Sequence, residues 1–451
     1  MASISCSMLY SLAFLSIIFK FGFVSSITIP ISHSYTNQNP YQDSFQKLNH
    51  LVSTSQTRAH HLKYPQSTST PVFSHSYGGY SISLSFGTPP QSLSFIMDTG
   101  SDFVWFPCTI HYRCKSCTFS ASKISPFIPK HSSSSKIIGC NNPKCSWIHQ
   151  NDLQCSNCKN CSQICPPYLI LYGSGSTGGL ALSETLHLDG LTVSNFLVGC
   201  SVVSSRQPAG IAGFGRGLSS LPTQLGLSKF SYCLLSHKFD DTAKTSSLVL
   251  DSQFDSDKKT TALVYTPLLK NPKPEDKPAF SVYYYVGLRR ISVGGRSVKI
   301  PYKYLAPGKD GNGGTIIDSG TTFTFMSREA FEKLSNEFIS QVKNYKRDVA
   351  IEEKIGLKPC FNVSGTKTLD LPQLSLHFKG GADVELPLEN YFALVGGGDV
   401  ACLTVVSDGV VEAPEADVGP GIILGNFQMQ NFLVEYDLRN ERIGFKQESC
   451  K

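Results

Sequence analysis

The feature that most constrains this chain is a pair of short, matching segments far apart in the sequence. Asp98-Thr-Gly-Ser101 follows the apolar run Phe95-Ile-Met97, and Asp318-Ser-Gly-Thr321 follows Thr315-Ile-Ile317 at a distance of 220 positions. A single Asp-hydroxyl-Gly triplet is uninformative because these residues are common in turns. Two triplets in the same hydrophobic frame indicate a duplicated lobe. They predict that each half contributes one carboxylate to a shared centre.

Two carboxyl groups held about 3 Å apart share one proton, because ionising both at that distance is unfavourable. The ionised member can take a proton from a bound water while the protonated member polarises a carbonyl group. Such a pair can hydrolyse a bond without a covalent intermediate. Gly100 and Gly320 permit a tight turn and close approach of the backbone. We expect the neighbouring hydroxyl groups to donate hydrogen bonds that orient the carboxylates; these belong to Thr99, Ser101, Ser319 and Thr321.

Length and composition set the broad class of the protein. A chain of 451 residues exceeds the size of one ordinary core, so two lobes are expected. A hydrophobic content of 41% and a charged content of 16% fit a folded, β-rich protein. The net charge of +6 is mild and no basic cluster stands out, so nucleic acid is not expected as a partner.

The N-terminus resembles a secretory signal peptide. An apolar stretch runs from Met8 to Val24, interrupted by Lys20, and the small residues Ser25 and Ser26 follow it. We predict a signal peptide over residues 1–26; a signal anchor is the alternative, since no basic residue precedes the apolar stretch. No later stretch has the roughly 20 apolar residues that span a bilayer, so no stable membrane insertion is expected after cleavage. The predicted location is extracellular, in the apoplast or cell wall, with the vacuole as the alternative.

The cysteines agree with secretion. The chain has 15, and removal of Cys6 with the signal peptide leaves an even number, as a disulfide framework requires. Most of them lie in the first lobe. The spacings Cys114-x-x-Cys117 and Cys155-x-x-Cys158-x-x-Cys161 also fit zinc ligands. Disulfides are the expectation in a secreted chain, and we predict no metal and no cofactor.

Two sequons, Asn160-Cys-Ser162 and Asn362-Val-Ser364, are candidate N-glycosylation sites in a secreted protein. The first lies within the cysteine-rich region, where modification is less certain.

Residues 27–74 form a leader with few acidic residues, in which Lys47, Arg58 and Lys63 face a single acid, Asp43. Two interpretations stay open. The leader is either disordered, or it is an activation segment whose cations cover the two carboxylates until acid weakens the attraction.

The remaining pattern divides the chain into an N-terminal lobe, 75–270, and a C-terminal lobe, 271–451, joined by a Pro- and Lys-rich linker. The first lobe carries a cysteine-rich insertion at 108–165. Strands are predicted at 80–86, 92–97, 168–172 and 281–286, and one clear helix at 327–342, which Ser327 can cap. Ala209–Phe214 and Gly421–Asn426 follow the two aspartates at similar intervals, and we expect them to support the Asp98 and Asp318 loops from beneath.

The chain resembles the pepsin-like aspartic endopeptidases over residues 77–445. The resemblance rests on the two Asp triplets, Trp105, Tyr172-Gly-Ser-Gly-Ser176 and Ile422-Ile-Leu-Gly425. The cysteine-rich insertion resembles the nepenthesin-type plant branch of that family. The resemblance implies an all-β fold with a few short helices, built as two pseudo-symmetric, β-barrel-like lobes with the active cleft between them. It also implies that Asp98 and Asp318 hold the lytic water.

Other roles follow from the same resemblance. Ser101 and Thr321 would donate to the outer carboxylate oxygens. Tyr172 matches the flap tyrosine that closes over substrate, and Trp105 matches the tryptophan whose indole N–H meets that phenol.

The peptide-binding backbone and two disulfides are also implied by the resemblance. Gly173 and Ser174 on the flap, with Gly100 and Gly320, would bind a peptide as an added strand. The implied disulfides are Cys360–Cys402 and Cys233–Cys450.

We therefore expect a secreted, monomeric aspartic endopeptidase that cleaves protein or peptide substrates at acid pH. The alternative is a catalytically silent inhibitor of cell-wall glycanases, because plants use this fold for such proteins. Those relatives typically lose a catalytic aspartate or the flap tyrosine. The matching residues Asp98, Asp318 and Tyr172 are all present here. A glycosidase also uses two carboxylates, but it needs no symmetric Asp-Gly segments.

Overall fold

The computed structural model describes residues 26–33, 44–63, 79–117, 124–149, 163–172, 175–207, 209–236, 245–252, 262–273, 278–407 and 418–450. Most of the predicted signal peptide, Cys155, Cys158, Cys161, Asn160, and the flap residues Gly173 and Ser174 lie outside these ranges.

Helices are few and mostly short in the described parts of the chain. The α-helices are α1 (Ser44–Lys63), α2 (Pro143–His149), α3 (Leu221–Gln224), α4 (Tyr302–Leu305), α5 (Arg328–Gln341) and α6 (Val349–Ile355). The 3₁₀ helices are Pro129–His131, Pro278–Val282, Leu388–Asn390, Gly396–Gly398 and Asn426–Met429. None of the described helices is both long and apolar enough to cross a membrane.

Strands carry the fold. Those before the linker are β1 (Ser26–His33), β2 (Tyr80–Phe86), β3 (Gln91–Asp98), β4 (Trp105–Pro107), β5 (Arg113–Lys115), β6 (Lys136–Ile137), β7 (Tyr168–Tyr172), β8 (Gly175–Leu188), β9 (Leu191–Ser205), β10 (Gly210–Gly213), β11 (Lys229–Cys233), β12 (Thr245–Asp251) and β13 (Val264–Pro267). Those after it are β14 (Tyr284–Val286), β15 (Leu288–Val293), β16 (Arg296–Ser297), β17 (Thr315–Ile317), β18 (Thr324–Met326), β19 (Lys346–Arg347), β20 (Cys360–Asn362), β21 (Leu374–Phe378), β22 (Asp383–Glu385), β23 (Phe392–Val395), β24 (Val400–Leu403), β25 (Val405–Val406), β26 (Ile422–Leu424), β27 (Phe432–Asp437) and β28 (Arg442–Gln447).

One large sheet of 15 strands contains most of the first lobe, in the order β13-β28-β27-β11-β12-β1-β2-β3-β10-β4-β9-β8-β6, with β5 on β9 and β7 on β8. Because β27 and β28 come from the end of the chain, this sheet ties the two halves together. Three smaller sheets complete the second lobe: β14-β17-β26-β18-β25, β16-β15-β21-β22 and β19-β20-β24-β23. The prediction of a mostly β, two-lobed fold is confirmed.

The two lobes present their aspartates in the same way. Asp98 ends β3, which runs parallel to β10 with Gly213 beside Asp98. Asp318 directly follows β17, which runs parallel to β26 with Ile317 beside Leu424. Strands β10, β17 and β26 are buried throughout, and the Ile residues of β17 and β26 suit strands that are covered on both faces. Each Asp loop therefore starts from a rigid position.

Several predicted elements differ in detail from the structure. Helix α5 begins directly after Ser327 and buries Phe331, Leu334 and Phe338, but the Ser327 side chain makes no capping hydrogen bond, so the capping prediction was wrong. The strand predicted over 281–286 is reduced to β14, because the 3₁₀ helix Pro278–Val282 occupies its start.

The described parts of the leader are ordered elements, so the interpretation of a disordered leader was wrong there. Strand β1 lies between β12 and β2 and buries Ile27, Ile29 and Ile31 with period two. Helix α1 packs the apolar residues Leu48, Leu51, Val52, Ala59 and Leu62 against the second lobe. The sequence analysis did not predict these elements, because their apolar residues alternate with polar ones.

The described disulfides are Cys108–Cys200, Cys114–Cys117, Cys145–Cys165, Cys233–Cys450 and Cys360–Cys402. The bond between Cys114 and Cys117 removes that pair as zinc ligands. Cys233–Cys450 closes the longest of these loops and attaches the C-terminus to β11; a loop of that length contributes on the order of 5 kcal/mol.

Candidate active site

The first carboxylate, that of Asp98, is 2% exposed and is held by its own loop. The Gly100 N–H donates to its Oδ1 at 3.0 Å, and the Ser101 hydroxyl donates to its Oδ2 at 2.5 Å. Both predicted supports for Asp98 are thus in contact with it.

The second carboxylate repeats this arrangement. The Gly320 N–H donates to Asp318 Oδ1 at 2.9 Å, and the Thr321 hydroxyl donates to Asp318 Oδ2 at 2.5 Å. Asp318 is fully buried. The symmetry seen in the sequence is therefore a symmetry of hydrogen bonds.

Glycine is required at both loop positions because each faces the opposite carboxylate. A Cβ on Gly100 would lie 2.6 Å from Asp318 Oδ1, and a Cβ on Gly320 would lie 2.5 Å from Asp98 Oδ1. Any larger residue would push the two carboxylates apart.

Thr99 and Ser319 have a different role from the one predicted. The Ser319 hydroxyl accepts from the Thr99 N–H at 3.0 Å, and the Thr99 hydroxyl accepts from the Ser319 N–H at 2.9 Å. The Ser319 hydroxyl also donates to the Met97 carbonyl at 2.9 Å. These side chains lock the two loops to each other, because these three hydrogen bonds join them to backbone groups of the opposite lobe and not to the carboxylates.

The flap tyrosine meets the tryptophan that the resemblance assigned to it. The Trp105 indole N–H donates to the Tyr172 hydroxyl at 2.8 Å. Trp105 is fully buried where β4 lies beside β10 and β9, and Tyr172 ends β7. Burial raises the pKa of Tyr172, so its hydroxyl keeps its proton.

A cation from the leader lies between the two aspartates. Arg58 of α1 places Nη2 2.7 Å from Asp98 Oδ1 and Nε 3.0 Å from Asp318 Oδ2. Nη2 also lies 3.4 Å from Asp318 Oδ1. Of the three leader cations that the sequence singled out, Arg58 is the one that reaches both aspartates; Lys63 Nζ instead lies 5.0 Å from the ring centre of Phe325.

Burial and the contact with Arg58 act together on the charge states of the two aspartates. Burial raises the pKa of Asp98, an effect that Arg58 opposes and Asp318 reinforces. Burial would also raise the pKa of Asp318, but the Arg58 charge and hydrogen bond, with the Thr321 and Gly320 hydrogen bonds, lower it overall. Burial disfavours the charge on Arg58, yet the two aspartates raise its pKa above its usual value. The guanidinium stands where a water shared by both carboxylates would have to bind.

Helix α1 is held in place by polar contacts along its length. The Ser55 hydroxyl accepts from the Phe323 N–H at 2.9 Å, and the Gln56 side chain donates to the Ser407 carbonyl at 2.9 Å. The Tyr283 hydroxyl donates to the Leu62 carbonyl at 3.3 Å. A small cavity remains between the helix and the two lobes; residues that line it include Thr54, Arg58, Ile96, Tyr172, Ile211 and Thr322. The helix therefore fills the cleft beside the aspartates.

Cys145, His149 and Cys165 lie close enough together to resemble a metal site. Because Cys145 and Cys165 form a disulfide, two of the three groups cannot act as thiolate ligands.

Asn362, in one of the two predicted sequons, is exposed at the end of β20, and its Oδ1 accepts from the Ser364 N–H and hydroxyl at 3.1 and 2.6 Å. Its glycosylation stays a prediction.

Comparison with known proteins places this chain in a family. The family models described as xylanase inhibitor N-terminal and xylanase inhibitor C-terminal match residues 80–250 and 283–447. A probable aspartyl protease of Arabidopsis thaliana is 35% identical over 434 residues, covering 85% of this chain and 84% of that protein. Aspartic proteinase nepenthesin-1 of Nepenthes gracilis is 32% identical over 439 residues, covering 95% of this chain and 91% of that protein.

Solved structures agree on the fold. The crystal structure of edgp has a TM-score of 0.65 at 20% identity, with 94% of this chain and 95% of that chain covered. Basic 7S globulin from soybean has a TM-score of 0.62 at 19% identity, with coverage of 94% and 97%. At these identities the likeness concerns the fold alone. The sequence relatives and the two family models match most of the length of this chain. On that ground, the chain belongs to the plant pepsin-like aspartic protease family that includes nepenthesin-1.

Proposed function

We propose that this protein is a secreted aspartic endopeptidase, made as a latent precursor, that hydrolyses peptide bonds at acid pH through Asp98 and Asp318. The observation that carries the proposal is the symmetric hydrogen bonding of two buried carboxylates that share one cation, Arg58. Such a pair is preorganised to share a proton, as the coupled carboxyls of aspartic proteases do.

In the mature enzyme a water takes the place of the Arg58 guanidinium between the carboxylates. The ionised carboxylate removes a proton from this water as the oxygen attacks the peptide carbonyl, and the protonated carboxylate donates to the carbonyl oxygen. When the tetrahedral intermediate collapses, the C–N bond breaks as the carboxyl that took the water proton gives it to the leaving nitrogen. The other carboxylate regains its proton from a hydroxyl group of the intermediate. The flap that begins at Tyr172 covers a protein or peptide bound as an extended strand. We expect a monomer to suffice, because each lobe of one chain supplies one aspartate.

Residues 27–74 act as the propeptide in this proposal. Arg58 neutralises the carboxylates and excludes the water at neutral pH. Acid favours release, because protonation of either aspartate removes one of the two ion pairs that hold Arg58. The mature enzyme then consists of the lobes 75–270 and 271–451, outside the cell or in the vacuole.

The alternative of a catalytically silent glycanase inhibitor agrees with the names of the two family models. It gives no reason for a complete carboxylate pair, a flap tyrosine bonded to Trp105, and an arginine that covers the pair. The endopeptidase is therefore the better account.

The test uses the purified full chain, incubated at acid pH with denatured globin in the presence and absence of pepstatin. We expect pepstatin-sensitive cleavage after loss of the leader, and a fall of at least about a thousandfold in Asp98→Asn, as is typical when a catalytic acid–base group is removed. N-terminal sequencing of the product locates the mature start. Absence of cleavage at every acid pH, or full activity in Asp98→Asn, would rule out the proposed chemistry.

A further inference from the structure

Asp102 is a third carboxylate beside the first catalytic loop, and the proposed reaction does not use it. It comes directly after Ser101 and is partly buried. Its Oδ1 accepts from the Gly217 N–H at 2.9 Å. The Asp102 side chain, directly after the loop that carries Asp98, thus bonds to the segment around Gly217 in the same lobe.

That segment is built from alternate glycines that enclose Asp102. A Cβ on Gly213 would lie 2.1 Å from the Asp102 carbonyl carbon, on Gly215 2.4 Å from Asp102 Oδ1, and on Gly217 1.6 Å from Asp102 Oδ2. Real Cβ atoms essentially never approach within 3.0 Å. The three glycines are therefore needed for the backbone to close around this one aspartate.

The same segment holds the rest of the catalytic loop through its backbone. The Phe214 N–H donates to the Asp98 carbonyl at 2.7 Å, and the Gly215 N–H donates to the Ser101 carbonyl at 2.8 Å. The bond from Gly217 to Asp102 is the third in this row and the one made by a side chain. These three hydrogen bonds hold the loop from Asp98, its first residue, to Asp102, which directly follows its last residue.

In the second lobe, a different residue makes the side-chain bond that holds the Asp loop. There Thr322 occupies the position equivalent to Asp102, and the loop is held by Asn426, whose side-chain amide donates to the Ser319 carbonyl at 2.9 Å. The equivalent of Asn426 in the first lobe is Phe214, which has no amide. In the first lobe the side-chain bond between the Asp loop and this segment is made by Asp102, which belongs to the loop.

We propose that Asp102 is a positioning residue for Asp98: its side chain clamps the catalytic loop onto the glycine segment 213–217. The proposal rests on the endopeptidase function proposed above, because its effect is on the placement of a catalytic carboxylate.

The protonation state of Asp102 indicates which substitution should preserve the clamp. Burial, reinforced by the Asp98 charge and opposed by the Gly217 hydrogen bond, raises the pKa of Asp102 to about 7. The titratable and charged groups around it also include Arg216, Tyr283 and Tyr284. Asp102 is then neutral at acid pH, and asparagine matches it in shape and charge.

The first experiment compares Asp102→Asn with Asp102→Ala in acid-activated enzyme. We expect the Asn variant to keep kcat within about threefold, and the Ala variant to lose about tenfold or more in kcat with little change in KM, because a displaced catalytic group slows chemistry more than it weakens binding. Equal loss in both variants, a loss confined to KM, or no loss in the Ala variant would overturn the proposal.

The second experiment tests the contact without depending on activity. Gly217→Ala should lower the Tm of the wild-type chain and also its kcat, and both effects should shrink in the Asp102→Ala background, because the carboxylate that blocks the new Cβ is gone. Gly139→Ala, where the nearest atom to the new Cβ would be 3.8 Å away, is the matched control. Additive effects on Tm would overturn the clamp. If the wild-type chain proved inactive the proposed function would fail, but the coupling in Tm would still decide this inference.

Discussion

Nη2 of Arg58 donates to Oδ1 of Asp98 across 2.7 Å, although the two residues belong to different functional parts of the chain. Arg58 belongs to helix α1, which covers the cleft. Asp98 belongs to the first Asp loop, which lies in the cleft. The side chain of Arg58 is only 11% exposed, so this ion pair is shielded from solvent and from salt. The two aspartates are thereby covered by a residue of the protein's own leader.

Replacement of Arg58 by Ala should abolish latency. Removing a partner of a buried ion pair commonly costs several kcal/mol, so we expect α1 to leave the cleft at a pH at which the wild-type leader stays bound. The measurement is pepstatin binding to unprocessed chain at pH 6. Arg58→Lys should be intermediate, because one ammonium cannot bond both carboxylates as a guanidinium does. Thr57→Ala is the control, since the neighbouring Thr57 hydroxyl donates to the Ser53 carbonyl of the same helix at 2.8 Å; equal latency in the wild type and the Arg58→Ala variant would contradict the prediction.

His61 should add a second acid-sensitive step to leader release. Burial, with the charges of Arg58 and His60, lowers its pKa from the usual 6.5 to about 3, against an opposing effect of Asp318. A depressed pKa means that neutral His61 favours the docked helix above pH 6.5, and that this contribution is lost progressively as pH falls from 6.5 towards 3.

We therefore expect His61→Gln, which cannot become charged, to move the midpoint of leader release to lower pH. Hydrogen exchange of residues 44–63, measured across pH on unprocessed chain, reports this release directly. His131→Gln, at an exposed histidine of the cysteine-rich insertion, is the control. A midpoint that stays in place, or moves to higher pH, would refute the role of His61.

Loss of the hydroxyls of Thr99 and Ser319 should weaken the contact between the lobes. Each accepts a hydrogen bond from the opposite loop, so Thr99→Ala and Ser319→Ala should each lower the free energy of unfolding by about 1–3 kcal/mol. Thermal unfolding of the double variant should show less than the sum, because both changes damage one network. Ser319→Thr, which keeps the hydroxyl, should remain close to wild type; strictly additive losses would argue against a shared network.

Trp105→Phe and Tyr172→Phe should each remove the same hydrogen bond, the 2.8 Å contact from indole to phenol. We expect a loss of about tenfold in kcat/KM for either variant, because a bond of this kind contributes about 1–1.5 kcal/mol to holding the flap tyrosine in place. The two losses should not add in the double variant. Trp147→Phe, at the other tryptophan of the chain, serves as control; an unchanged kcat/KM in Tyr172→Phe would show that the bond does not matter for turnover.

The local patterns of the sequence predicted the parts of the fold that depend on periodicity. The strand predicted at 80–86 is β2, and the helix predicted at 327–342 is α5 within a residue at each end, because alternation and the 3.6-residue repeat mark the buried face directly. The leader was less accessible to this reasoning. Helix α1 was missed because its apolar stripe is mixed with His, Ser and Thr, and it is stabilised mainly by the lobe on which it packs.

The sequence by itself determined the local surroundings of the two carboxylates, since Asp98 and Asp318 stand in equivalent frames and the residues that bond their carboxylates follow within three positions. Only the tertiary structure decided which residues meet across the chain: Thr99 with Ser319, Asp102 with Gly217, and Arg58 rather than Lys47 or Lys63 with the two aspartates. The physical reason is that short-range motifs fix contacts within a turn, whereas contacts between distant segments depend on how the lobes pack. The paired triplets predicted a shared centre. In the fold, Arg58 of the leader lies between the two aspartates.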